Sequence, residues 1–325
     1  MWPAVAALGA ACLWLHRACG HHVVVSNGVR FLLRGRSLIG AAFVEAPEAA
    51  AFRGWAVQRA ALQLVKIAGR RSPTALVVGL GGGAVLNHLV RGGYDAHAVE
   101  LSQDVIDLAV KHFGVDASRV KRGDGLRAFK LRDNNREYDV VVIDVVDPES
   151  LDAAWRFLKR SALVDVKTLG KDALLVFNGL DLWAEDDSDF EWARAAASRL
   201  GRRWRHVRAF RDSPPADEGA TNIVLFASDA PIDVEALGTA FGETPPEPNS
   251  EAWVVANFVR WEVARCDDET CRLVWPGDSA PWRAHFARRP GRAYEAKIAS
   301  SLEKVTEAFL PAAARRCKTP SWPYR

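Results

Sequence analysis

The sequence predicts an α/β protein built on a mainly parallel, doubly wound sheet. Three observations carry this. Apolar strand-like runs alternate with helical patterns from about residue 74 onward. One run, within Tyr138 to Pro148 (YDVVVIDVVDP), is continuously apolar, as a strand covered on both faces should be. Four glycines, Gly79, Gly81, Gly82 and Gly83, separate the first strand from the helix after it in VVGLGGGAVLNHL.

Taken in order, residues 1–20 open with the uncharged apolar stretch MWPAVAALGAACLWL. It is shorter than the roughly 17–25 residues that span a bilayer and lacks a positive leader. A packed helix, a targeting segment and an interfacial anchor all remain open for it. No membrane span is expected, and the expected location is cytoplasmic, with targeting by this segment the alternative. Residues 21–70 begin with a β-hairpin, His22 to Leu33, turned at Asn27-Gly28, and continue into a helix from Phe52 to Ala68.

Residues 71–230 form the main domain. LVVGL is its first strand, followed by the helix AVLNHLVRG, the strand DAHAVEL and the helix Gln103 to Phe113. A short strand, SRVK, precedes Gly123-Asp124-Gly125, and YDVVVIDVVDP is the fourth strand. Asp152 to Leu169 reads as a helix, DALLVFNGL as the fifth strand and Asp189 to Leu200 as another helix. WRHVRAFR and ATNIVLFAS are two closing strands. Residues 231–325 are a linker, proline-rich at TPPEPNSE, and a C-terminal extension with two helical patterns and five of the twelve tryptophans. No chemistry attaches to it.

Composition narrows the function classes. With 325 residues, 49% apolar, the chain can bury a large core. A net charge of +3 gives no reason to expect a polyanionic partner. Seven arginines between Trp192 and Arg211 fit either RNA contact or a solvated helix end beside an edge strand, the second being the simpler account. Five cysteines make no C-x-x-C pair and no zinc spacing, so no metal is expected; Cys266 and Cys271 either pair locally or are unrelated.

The glycine turn lets backbone approach a ligand at a helix N-terminus, and without a following Lys-Ser/Thr it is no triphosphate loop. Glu100 ends the second strand, 21 residues after Gly79. An acid there can accept hydrogen bonds from both ribose hydroxyls of an adenosine-containing cofactor, and NAD and S-adenosylmethionine fit equally well. Asp124 follows the third strand, within reach of an adenine amino group. Asp144 and Asp147 end the fourth strand, at the edge where such sheets bind ligands. Asp144 follows four apolar residues, so an unpaired carboxylate there would be costly; Asp147, before Pro148, also fits a helix cap.

In this order and spacing, the glycine loop, Glu100, Gly123-Asp124-Gly125 and YDVVVIDVVDP resemble the Rossmann-like methyltransferase fold. That fold has a mainly parallel seven-stranded sheet. The likeness is greatest to the spermidine-synthase-like branch, which holds polyamine aminopropyltransferases and the lysine methyltransferases of elongation factor 1-alpha. It covers roughly residues 22 to 230, including the small N-terminal hairpin, and excludes the C-terminal helical extension. VVGLGGG, AVEL and NIVLFAS look closest to the methyltransferase members.

The resemblance implies S-adenosylmethionine as cofactor. Gly79, Gly81 and Gly83 would surround its methionine part, Glu100 would hold the ribose, Leu101 would lie against the adenine and Asp124 would bind its amino group, beside Gly125. Gln58 would lie near the cofactor. Asp144 matches the acid that accepts a proton from the attacking amine in aminopropyltransferases, and Asp147-Pro148 completes that motif. Phe177-Asn178 either lines the same pocket or, at Asn178, caps a turn. A homodimer through the N-terminal hairpin fits the branch.

Three departures separate methyl from aminopropyl transfer. Aminopropyltransferases carry GGGDGG, with an Asp where this chain has Gly82. An Asp there would oppose the carboxylate of intact S-adenosylmethionine, by roughly 4 kcal/mol for two charges about 4 Å apart at an effective dielectric near 20. The polyamine-holding tyrosine is replaced by Val57, and the Gly-Pro-Ala after Asp-Pro by Glu149-Ser150-Leu151. The expected function is therefore methyl transfer from S-adenosylmethionine to an amine, with a protein lysine the preferred acceptor. The alternatives are an aminopropyltransferase and a degenerate nucleoside-binding module. An NAD dehydrogenase would need a second catalytic domain with a His or a Tyr-Lys pair, and none is found.

Overall fold

Strands that are apolar on both faces need helices on both faces, and this chain builds that sandwich. The computed structural model describes residues 20–26, 29–34, 37–44, 73–130, 137–145, 152–159, 162–163, 169–183, 191–211, 219–232, 259–263 and 273–274. Three N-terminal strands, β1 (His21–Ser26), β2 (Val29–Arg34) and β3 (Ser37–Phe43), come first. The main sheet then alternates β4 (Thr74–Val78), α1 (Ala84–Arg91), β5 (Asp95–Glu100), α2 (Gln103–Phe113), β6 (Val120–Arg122), α3 (Gly125–Lys130) and β7 (Tyr138–Ile143). It closes through α4 (Asp152–Trp155), β8 (Leu169–Trp183), α5 (Glu191–Gly201), β9 (His206–Arg211) and β10 (Gly219–Ser228).

Seven strands lie in the order β6-β5-β4-β7-β8-β10-β9, all parallel except β10, which is antiparallel to both neighbours. This is the Rossmann-like methyltransferase fold. From β4 the chain steps outward through β5 and β6, then returns to β7 on the other side of β4. The reversal places the topological switch point, and its crevice, between the carboxyl ends of β4 and β7.

Period-two alternation divides the strand residues between two apolar layers. Ala75, Val77, Val140 and Val142 meet α1 and α2 through Leu86, Leu89, Ile106 and Ala109. Leu76, Val78, Val141 and Ile143 meet the other face, through Phe129, Leu158, Ala197 and Leu200. Each of the larger side chains among these contributes about 1.5–3 kcal/mol of burial, so the sheet centre is the stable part. At its start, Asp139 Oδ2 accepts from the Thr74 amide (2.8 Å) and hydroxyl (3.2 Å), fixing the β4–β7 register.

Helix α2 has the bounds its sequence signals. Ser102 caps it by accepting from the Val105 amide, and Gly114 ends it in the left-handed conformation, φ 69°. Its buried stripe serves two neighbours. Ile106 and Ala109 face the main sheet, whereas Val105 and Phe113 join Leu32 and Ala42 of the N-terminal sheet. The N-terminal sheet is thus docked through α2, and Arg30 Nη1 donates to the His112 carbonyl at 2.7 Å in the same interface.

Several expectations need correction. The expected N-terminal hairpin is present as β1-β2, and a third antiparallel strand, β3, which was not expected, extends it to a three-stranded sheet. Its third strand, SLIGAAF, contains a glycine and two alanines, which are poor strand formers. The segment Asp152 to Leu169 is not one helix. After α4 comes a 3-10 turn, Arg156–Leu158, and Lys159 is extended, while Arg199 donates to the Leu158 carbonyl. Leu169 already belongs to β8, which is longer than DALLVFNGL and carries a left-handed residue, Asp172 (φ 60°), where its register against β7 shifts. Within the C-terminal extension the described residues include two strands, which were not expected. There β11 (Val259–Val263) and β12 (Leu273–Val274) continue the sheet beyond β9. The Asn27-Gly28 turn, the Phe52 to Ala68 helix and residues 1–19 lie outside the described residues. Among the described residues, no helix is long and apolar enough to cross a membrane.

Two histidines titrate in the docking interface. Burial, and next the Arg34 guanidinium, hold His21 below the ordinary 6.5, although Asp104 and Glu100 pull upward. Burial, then Lys111 and Arg30, lowers His112 too. Because both folded values are depressed, the unfolded chain binds these protons first as pH falls below 6.5. Stability is therefore complete above that value and lost as pH falls through it toward the folded values. The drop in melting temperature between about pH 7.5 and about pH 5.5 should be smaller in His21→Asn than in the parent. An identical drop would contradict this account.

Candidate functional site

At the carboxyl edge of the sheet, strand ends are tied to each other by single backbone bonds. The Gly79 amide donates to Val99 O, the Gly123 amide to Glu100 O and the Asp144 amide to Val78 O, each at 2.9 Å. These bonds bring Gly79, Glu100, Asp124 and Asp144 to the same edge, around the switch point.

The glycine loop explains itself residue by residue. Gly79, Gly81 and Gly83 have φ of 90°, 51° and 75°, values that side-chain-bearing residues rarely adopt. A Cβ on Gly79 would run into the Asp144 carbonyl, and one on Gly83 into Val115. A Cβ on Gly81 would lie 2.8 Å from Ile39 O, and one on Gly82 would lie 3.2 Å from the Phe113 ring. The space left by the missing side chains is therefore filled by the protein. Whatever the loop offers a ligand comes from its backbone. Position 82 also has a packing reason to be glycine, independent of the cofactor's charge.

Glu100 is the hub of the edge. Its Oε2 accepts from the Leu80 amide inside the loop (3.0 Å), and its Oε1 from the Ser102 amide at the start of α2 (2.9 Å). A carboxylate offers about four lone-pair sites, so two bonds leave capacity for two hydroxyls. Leu101, immediately beyond it, is a large apolar side chain 71% exposed. Asp124 Oδ1 accepts from the Leu126 amide at 2.9 Å and so caps α3, while the carboxylate remains exposed. Gly125 is a packing glycine, since a Cβ there would strike Val78.

Across the crevice, Asp144 is half-buried, and Asn178 Nδ2 of β8 donates to its Oδ1 at 2.8 Å. Asn178 itself is only 2% exposed. It meets the Asp144 carboxylate rather than merely ending a strand. Gln58 and Asp147 lie outside the described residues. The roles of Leu80, Ser102 and β3 around the loop carried no sequence signal, because they act through backbone atoms.

No protein-family profile matches this sequence, and no curated protein sequence matches it. Solved structures do match. A probable spermidine synthase from Corynebacterium glutamicum ATCC 13032 aligns at TM-score 0.57 and 17% identity, covering 72% of this chain and 88% of that one. The two share a fold. Looser matches are human Methyltransferase-like protein 13 in complex with SAH (TM-score 0.41, 24% identity, 56% of this chain and 81% of that one) and the spermidine synthase from Thermotoga maritima (0.46, 19%, 73% and 83%).

The arginine-rich stretch is partly engaged within the protein. Arg199 stacks over Trp155 at 4.1 Å from the ring centre, and Arg203 lies over Trp204 and 3.7 Å from Asp229.

Gly79→Ala combines a left-handed backbone with a carbonyl collision. It should lower the unfolding free energy by at least about 2 kcal/mol in a urea titration. Parent-like stability would show that the β4–β7 edge is not as close as described.

Proposed function

We propose that this chain is an S-adenosylmethionine-dependent methyltransferase of spermidine-synthase-like type that N-methylates a protein lysine. The observation that carries the reading is Glu100, poised at the strand end beside the switch point between the glycine loop and exposed Leu101. Its remaining acceptor capacity suits two vicinal ribose hydroxyls, and Leu101 supplies an apolar face for a base. Asp124 lies one strand further out, toward the adenine amino group, with Gly125 behind it. The loop backbone at Gly79, Gly81 and Gly83 would lie against the amino-acid end, and Gln58 would be the further residue near the cofactor.

S-adenosylmethionine would supply a methyl group on a sulfonium: the amine nitrogen would form the new N–C bond as the C–S bond breaks, the electron pair of that bond staying on sulfur and the thioether leaving. The protein's own part is alignment and proton removal. Asp144 attracts a cationic amine and takes the proton that must leave nitrogen before attack. Asn178 fixes the orientation of that carboxylate, a charge-assisted bond worth about 1.5–3 kcal/mol, and Asp147 adds negative charge for a lysine. Arg199 and Arg203, occupied within the protein, support a protein acceptor over a nucleic acid. Gly82 in place of an Asp supports the intact cofactor. A homodimer through the N-terminal sheet is part of the same reading.

Calorimetric titration with S-adenosylmethionine and with its decarboxylated form tests this. The intact form should bind more tightly, and Glu100→Ala should weaken it by at least about 100-fold, the loss of two hydrogen bonds to a charged acceptor. Preference for the decarboxylated form would restore aminopropyl transfer, and binding of neither would leave a non-catalytic module. With a lysine peptide accepted by the parent, Asp144→Asn should slow turnover by about 10²–10⁴-fold. Unchanged turnover would remove Asp144 from catalysis.

A further inference from the structure

We propose that the N-terminal sheet is a prop for the glycine loop, and that Gly40 is a positioning residue through which β3 sets the loop's shape. Three observations converge on β3. A Cβ on Gly40 would collide with the Gly82 amide nitrogen and would lie 3.0 Å from Gly82 Cα and 3.3 Å from the Gly81 carbonyl carbon. Gly40 has no left-handed φ, so nothing in its own backbone demands glycine. The demand comes from the loop it touches.

The strand also carries a register irregularity where it meets the loop. In the β2–β3 register Leu32 pairs with Gly40 and Leu33 with Leu38, which leaves Ile39 as the extra residue of a bulge. Bulges re-aim the chain, and here the Ile39 carbonyl lies 2.8 Å from the position a Gly81 Cβ would take. Two residues further on, β3 presents the Ala41 amide 3.6 Å from the Gly82 Cβ position, beside the Phe113 ring. Residues 81–82 are thus backed by the Ile39–Ala41 backbone and by Phe113 of α2.

The docking of the sheet has its own supports. Leu32 and Ala42 pack with Val105 and Phe113, and Arg30 holds the His112 carbonyl. Asn87 of α1 donates to the Phe113 carbonyl at 2.9 Å, so the helix leaving the loop is tied to the same point. A loop with three left-handed glycines has few conformational restraints of its own. Backing from β3 removes that freedom before any ligand arrives, which is preorganisation. The binding consequence rests on the S-adenosylmethionine reading above; the ordering of the loop does not.

Amide hydrogen exchange on the full chain, without ligand, tests the prop. In Gly40→Ala, amides of residues 80–84 should exchange at least about tenfold faster, while those of β7 and β8 stay as in the parent. Arg30→Ala, which loosens the sheet from outside the loop, should raise exchange in the same segment and in α2. It serves as the deciding variant if Gly40→Ala loses protection throughout. Unchanged exchange at residues 80–84 in a folded Gly40→Ala, or in Arg30→Ala when its α2 amides exchange faster, would overturn the proposal. Titration with S-adenosylmethionine then adds the functional arm. Affinity should fall at least about tenfold in Gly40→Ala relative to the parent. A folded variant with a faster-exchanging loop and undiminished affinity would overturn the positioning role. A parent that binds no S-adenosylmethionine would refute the proposed function and leave the exchange result to decide the prop.

Discussion

Backbone touching backbone at residues 79–83 is the constraint on which the rest of this molecule depends. The Asp144 carbonyl presses on Gly79, the Ile39 carbonyl on Gly81 and the Gly82 amide on Gly40. No side chain fits in any of these gaps. Three parts of the chain far apart in sequence, β3, the loop after β4 and the end of β7, must therefore fold to one place before the edge of the sheet is complete. Their close approach is stabilised from behind by the apolar layers of the main sheet and by Phe113, which is fully buried.

Placed on that frame, the polar groups have little freedom. Glu100 spans from the loop to the cap of α2, so the same carboxylate that would meet a ribose also sets the distance between two elements. Asp144 sits across the switch point with Asn178 beneath it. Such support from a neighbouring strand is what keeps a reacting carboxylate within the narrow geometry that catalysis by alignment requires. The His21 ring, half-buried near Arg34, Asp104 and Glu100, links the charge state of the N-terminal sheet to this same edge.

Much of this was legible in the sequence, and the omissions have physical causes. Helix α2 announces both its ends, with Ser102 as cap and Gly114 as left-handed stop. YDVVVI could only be a strand covered on both sides, and Glu100 and Asp144 stand at strand ends because the apolar runs stop there. By contrast, β3 hides because its glycine and alanines answer to the loop rather than to strand propensity. The break after α4 depends on Arg199 claiming a carbonyl from another helix, and the pairing of β11 with β9 on an edge distant in sequence. Neither leaves a local pattern. The packing glycine Gly125 shows the converse case, in which a residue that looks like part of a ligand motif is required by a valine of the adjacent strand.

A crystal structure of the full chain with S-adenosylhomocysteine tests the central claim most directly. The account predicts the nucleoside in the crevice between β4 and β7, its ribose hydroxyls on Glu100 and its amino-acid end against the loop backbone, with the β3–loop contacts unchanged. A ligand bound elsewhere, or a loop that must leave β3 to admit it, would contradict the account.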